Sequence, residues 1–156
     1  MPTAGRPRCG PVAMAESGGA GGAATVAMEV EVAAEGAAPA LAAAGCERAA
    51  RSALAAAGAT DGHLAIAFVA PARMRALNAA HRGVDRPTDV LSFPVDGPGP
   101  VAGPRELGDV VVCPEHTSDV EEAIVHGVLH LCGYDHDSDG GEMLSLQARI
   151  LRDLRG

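Results

Sequence analysis

His126-Gly127-Val128-Leu129-His130-Leu131-Cys132-Gly133-Tyr134-Asp135-His136 is the stretch on which the reading of this chain turns. On an α-helix, residues four apart share a face, with Cβ atoms roughly 5–6 Å apart. His126 and His130 can therefore reach one metal ion. Gly133 takes left-handed backbone without steric cost and can end the helix. The chain then turns and brings His136 to the same ion. Three neutral imidazoles with a fourth position open to water form the donor set of a catalytic zinc site. An isolated H-x-x-x-H pair is common on helices, but the third histidine at this spacing makes the pattern specific.

The H-x-x-x-H-x-x-G-x-x-H spacing is shared with the metzincin peptidases, whose motif begins H-E-x-x-H. In those enzymes the glutamate is the general base beside the zinc. Here that position is Gly127, which neither takes nor gives a proton, so a metallopeptidase is disfavoured. Glu122, four residues before His126, is read as serving the positive end of the helix dipole.

The metal helix is expected over Ser118–Leu131. Ser118 with Glu121 forms a capping box, and Asp119, Glu121 and Glu122 add negative charge at the first turn. Val120, Ile124, Val128 and Leu131 form its buried stripe. Asp139 with Glu142 reads as a second capping box, opening a final helix to about Leu154 with Met143, Leu146, Ile150 and Leu154 facing the core. Upstream, Leu107–Cys113 reads as a strand stopped by Pro114. Residues 94–104 hold four prolines and three glycines, the composition of a loop. Asp89–Phe93 and His63–Val69 read as strands. Pro71 opens a helix that ends near Gly83, and an Ala-rich helix covers about 40–57, closed by Gly58. Val26–Val32 alternates, with Val26, Met28, Val30 and Val32 on one face of a half-buried strand. Strands mixed with helices in this order predict an α+β domain, a small mixed sheet packed with helices, over residues 25–156. Residues 1–24, rich in Gly, Ala and Pro, are expected to be a disordered extension.

The core must be built from small side chains, because the 156 residues include no Trp, two Phe and one Tyr. No apolar run approaches the ~18 residues that span a membrane. The net charge of −8 argues against a broad nucleic-acid-binding surface, though not against a local one. All 12 basic residues are Arg, which suits bidentate phosphate contacts and is also what a biased genome composition gives. Cys9, Cys46, Cys113 and Cys132 show no metal-knuckle or disulfide spacing, so buried thiols in a reducing compartment are expected. The expected location is the cytoplasm. Arg6 and Arg8, with no acid before Glu16, give the extension a faint likeness to an organellar transit peptide.

Leu77–Pro94 is the other dense polar stretch. Arg82 and Arg86 could hold a phosphate, with Asp85 and Asp89 orienting them or a metal-bound histidine. A polar turn with local ion pairs is the equal alternative. Arg73, Arg75, Arg82 and Arg86 together would make a local basic groove.

With these stretches in hand, the chain resembles the YbeY family of metal-dependent endoribonucleases, the rRNA maturation factors. The family's H-G-x-L-H-L-x-G-Y-D-H is complete as His126–His136, and its P-T-D-V-L-S-F-P as Pro87–Pro94. Leu107-Gly108-Asp109-Val110 also matches, and the likeness covers about residues 26–154. His81 departs from the family, which usually has Tyr there, and this puts a local stacking contact in doubt. The resemblance implies one zinc ion on His126, His130 and His136, and a catalytic or RNA-binding role for Arg82. It implies a pared-down zincin fold and a single-stranded RNA substrate, notably the 3′ end of small-subunit (16S) ribosomal RNA. Work in ribosome quality control, with small-subunit ribosomal proteins and the ribosome-associated GTPase Era as partners, follows from the same likeness. His126 is then both ligand and part of the catalytic centre. A non-cleaving ribosome-assembly module with structural zinc is the competing reading.

Overall fold

The computed structural model describes residues 28–96 and 101–156. The expectations for residues 1–24, for the start of the first strand at Val26, for Cys9 and for the middle of the Pro/Gly loop lie outside the described residues. Within them the order is β1 (Met28–Glu35), α1 (Ala43–Ala56), β2 (Gly62–Val69), α2 (Pro71–Arg82), β3 (Val90–Pro94), β4 (Glu106–Val112), α3 (Val120–Leu131) and α4 (Glu142–Arg155). A short 3-10 turn over Pro114–His116 joins β4 to α3.

The strands form one mixed sheet in the order β1-β2-β4-β3. β1 and β2 are parallel, as are β2 and β4, while β3 runs antiparallel to β4. Parallel neighbours need a long crossover, and α1 supplies it between β1 and β2. The expected α+β class with a small mixed sheet is what the chain forms.

Alternation along the strands decides what each sheet face meets. Leu64, Ile66 and Phe68 of β2 and Val110 and Val112 of β4 point to one face, where they pack with α1, α3 and α4 in the main core. Val69, Leu91 and Val111 point to the other face and meet Met74 of α2 in a second, smaller cluster. Ala49, Ala50 and Ala53 let α1 press closely into the main core without aromatic bulk. Among the described residues, Cys46, Cys113 and Cys132 are buried thiols outside any disulfide. Burial raises the Cys46 and Cys113 thiols above the ordinary range, which keeps them protonated.

Helix ends follow the local chemistry in most places. Pro71 stands in the first turn of α2, and Gly83 ends it at φ 71°. α1 begins at Ala43, later than expected, with Ala42 at its N-cap and no side-chain cap. An Ala-rich run gives no capping signal from which to read the start.

One ion network crosses the sheet. The Nδ1 atom of His63 on β2 lies 2.8 Å from the Glu106 carboxylate on β4, and its Nε2 atom 3.1 Å from that of Glu31 on β1. Burial by itself lowers the His63 pKa, but the hydrogen bonds to Glu106 and Glu31 and their charges outweigh it, and the net direction is upward. The protonated ring is therefore stabilised by folding. That stabilisation is complete below the unfolded value of about 6.5 and is lost as pH rises through the higher folded value. Urea unfolding should show His63→Gln losing more stability against the parent near pH 6 than near pH 8.5. An equal loss at both pH values would remove the charge from this account.

Candidate metal centre

α3 (Val120–Leu131) is capped by Asp119, not by the expected Ser118. Asp119 is in extended backbone just before the first helical residue, and its Oδ1 accepts from the Glu122 N–H at 3.0 Å. Its second oxygen accepts from Arg155 of α4 at 2.6 Å, and Glu121 accepts from the same guanidinium at 2.8 Å. Burial opposes ionisation of Asp119, but the Glu122 N–H and Arg155 hold its carboxyl below the usual range. At the second expected capping box the N-cap residue is Gly141, two residues after Asp139. Asp139 accepts from the N–H groups of Gly141 and Met143, and Glu142 accepts from that of Gly140.

His126 and His130 stand one turn apart on α3, and their ring centroids are 4.7 Å apart. Gly133 turns the chain at φ 97°, and the N–H of Tyr134 closes on the Leu129 carbonyl at 3.0 Å. The turn brings the His136 ring within 5.0 Å of His126 and 5.2 Å of His130, centroid to centroid. One donor atom from each of the three histidines lies within 4.8 Å of the others, so they can hold one ion. All three expected ligands therefore converge.

The hydrogen bonds at the far side of two rings indicate which nitrogens face inward. The His130 Nδ1 is 2.9 Å from the Tyr134 carbonyl, which only accepts, so Nδ1 carries the hydrogen. The His126 Nδ1 is 2.8 Å from Oε1 of Gln147 and is protonated for the same reason. Both Nε2 atoms then face inward, only 3.2 Å apart. Two neutral imidazoles so arranged oppose lone pair to lone pair, which a cation between them relieves. The donor set thus fits zinc. Burial lowers the His130 pKa, as do the nearby His126 and His136 rings, and this favours the neutral form a ligand needs.

The three rings open onto a cleft of about 720 Å³. Its walls include Arg82 at the end of α2, Thr88 and Ser92 around β3, and Glu122 of α3. Of the four arginines expected to form a groove, only Arg82 lines this cleft. Arg75 is committed to Asp85 at 2.7 Å, and Arg73 lines a separate cavity with Leu77 and His81. Asp89 accepts from the Val90 N–H and orients no histidine. The polar stretch therefore divides, with Asp85 in a local ion pair and Arg82 at the cleft. His81 packs edge-on against Phe93 at 4.6 Å, so it retains a ring contact there.

Gln147 was not singled out from the sequence. It is buried on α4, and its Nε2 donates to Glu122 at 3.4 Å. A signal was present: one polar residue on an otherwise apolar stripe between Met143 and Ile150. Glu122 is tied to this amide as well as standing in the first turn of α3.

Comparison with known proteins follows from this geometry. The family model described as Endoribonuclease YbeY matches residues 33–155. The chain belongs to the YbeY family. Among curated YbeY endoribonucleases, that of Rubrobacter xylanophilus is 43% identical over 98 residues, covering 61% of this chain and 70% of that one. That of Chelativorans sp. is 40% identical over 123 residues, covering 67% of this chain and 76% of the relative. The relative from Nitrobacter hamburgensis is 41% identical over 109 residues, but the match spans only 57% of its length and 58% of this chain. The solution structure of TM1509 from Thermotoga maritima is also similar, with TM-score 0.50 and 26% identity over 80% of this chain and 88% of that one.

The YbeY motif residue Gly127 has a packing role that its missing carboxylate conceals. A Cβ there would meet Val110 Cγ1 at 2.6 Å, Val110 Cγ2 at 3.2 Å and Ser92 Oγ at 3.3 Å. Ser92 Oγ donates to the Gly127 carbonyl at 3.0 Å across the same gap. Gly127→Ala should cost about 1–3 kcal/mol through overpacking. Chemical denaturation would measure this, and an unchanged midpoint would show that the contact is soft.

Proposed function

We propose that this chain is a zinc-dependent endoribonuclease that cuts single-stranded RNA. Its cellular task is 3′-end maturation of small-subunit ribosomal RNA and ribosome quality control in the cytoplasm. The observation that carries this reading is three convergent imidazoles on the same cleft as Arg82. Membership of the YbeY family, whose curated members are named endoribonucleases, supplies the reaction class. Small-subunit ribosomal proteins and an Era-type GTPase are the partners this reading brings with it.

His126, His130 and His136 would hold the ion. Zinc in such a site supplies Lewis acidity and lowers the pKa of water to about 7. Arg82 presents a planar guanidinium fork to phosphate oxygens. It binds the scissile phosphate and stabilises the negative charge that grows as phosphorus becomes five-coordinate. The open cleft would admit an unpaired strand. Position 127 contributes no proton acceptor, so the base lies elsewhere in the site or on the RNA. A 2′,3′-cyclic phosphate at the cut ends would identify the neighbouring hydroxyl as nucleophile.

A purely structural zinc is the weaker reading, because structural sites are closed by four protein ligands. The donor group found among the described residues is the three histidines, and neither Cys132 nor Asp135 belongs to it.

Metal analysis and cleavage of a single-stranded RNA test the reading together. Wild-type protein should carry about one zinc per chain, as a single-ion catalytic site requires. His130→Ala should lose both metal and cleavage. Arg82→Ala should keep the metal and lose cleavage by about 10²–10³-fold, the usual cost of a transition-state donor. Undiminished cleavage by both variants would sink the site assignment.

A further inference from the structure

The two helical histidines reach the same tautomer by different means. The Tyr134 carbonyl that fixes His130 is backbone and cannot change its role. The group that fixes His126 is a side-chain amide, and an amide can flip between acceptor and donor. Something must hold Gln147 with its oxygen toward the imidazole. The structure places the Glu122 carboxylate 3.4 Å from the Gln147 Nε2. An ionised carboxylate only accepts, so it selects the orientation in which Nε2 faces Glu122 and Oε1 faces His126. Gln147 is 9% exposed, which limits water at its amide, while Glu122 is exposed on the α3 side.

We infer that Glu122 and Gln147 form a relay that sets the Nδ1-protonated tautomer of His126 and aims its Nε2 lone pair into the metal centre. Glu122 and Gln147 are positioning residues, neither of them a metal ligand nor in contact with the reacting atoms. This rests on the reading of the three histidines as zinc ligands. It goes beyond that reading by making a carboxylate one turn before His126 and an amide on α4 determinants of metal affinity. The relay also couples α4 to the centre.

The test uses the full chain, with zinc affinity read by competition against a chromophoric chelator. The His126 tautomer is read separately from long-range proton–nitrogen spectra of the imidazole rings, before and after one equivalent of zinc. Gln147→Leu should weaken zinc binding about 10- to 100-fold, the usual cost of losing a partner behind a ligand. It should also leave His126 as a mixture of tautomers without zinc. Thermal unfolding of the zinc-free chain controls for folding, and an apolar leucine on this stripe should not lower it. Exchanging the two groups, as Glu122→Gln with Gln147→Glu, keeps a pure acceptor against His126 and a donor behind it. That double variant should recover zinc affinity to within a few-fold of the parent. Gln147→Glu alone sets two carboxylates against each other and should bind zinc less tightly than the exchange.

A Gln147→Leu protein with parental zinc affinity and a single parental tautomer overturns the inference. A wild-type chain that binds no zinc, yet shows a fixed Nδ1-protonated His126 that Gln147→Leu releases, removes the zinc reading and leaves the relay standing.

Discussion

The approach of α3 to the sheet at Gly127 sets the position of everything else in the site. The helix lies so close to β3 and β4 that Val110 and Ser92 occupy the space a side chain would need. The Ser92 hydroxyl seals the contact by donating to the Gly127 carbonyl. His126 and His130 flank this contact, so the depth of the helix against the sheet fixes where both rings emerge. The same approach places β3, with Thr88 just before it and Ser92 within it, along the wall of the cleft. Arg82 arrives there because α2 ends at Gly83, a short turn before β3.

That packing also separates this site from a peptidase with the same histidine spacing. In the H-E-x-x-H pattern the second residue of the helix motif is a base. Here a glutamate at that position would have to displace Val110, which is fully buried, or push the helix away from the sheet. The loss of the base is therefore tied to the fold. What remains is a candidate metal centre whose inward nitrogens are oriented from behind by a carbonyl and an amide.

Much of this was legible in the chain because the punctuation is strong. Pro71 and Gly83 mark α2, Pro114 ends β4, and Gly133 makes the turn that returns His136 to its partners. The convergence of the three histidines could be read because the helical repeat sets His126 beside His130 and the Gly133 turn returns His136 to them. What was not legible depends on contacts between distant elements. Strand order β1-β2-β4-β3 leaves no local periodicity to detect. Ser118 and Asp119 are both good caps one residue apart, and Arg155, from the far end of the chain, also engages the aspartate. Arg75 reads as part of a local basic groove, but Asp85, ten residues on, occupies it. Gln147 stands 21 residues after His126 on another helix, and only tertiary packing joins them.

The charge of the whole molecule gives the isolated arginine its meaning. With a net charge of −8, the protein has no broad electrostatic attraction to RNA. Arg75 and Arg155 are neutralised locally by Asp85, Asp119 and Glu121. Arg82 therefore presents its charge beside the imidazole cluster against an acidic background rather than within a basic field. Non-specific polyanion binding scales with the number of phosphates neutralised, and of the arginines expected to form a groove only Arg82 lines the cleft. A metal ion among the three histidines would add positive charge at the one point where Arg82 already faces the cleft. Affinity for a phosphodiester would then rest on the loaded centre and Arg82 acting together, not on a broad basic surface.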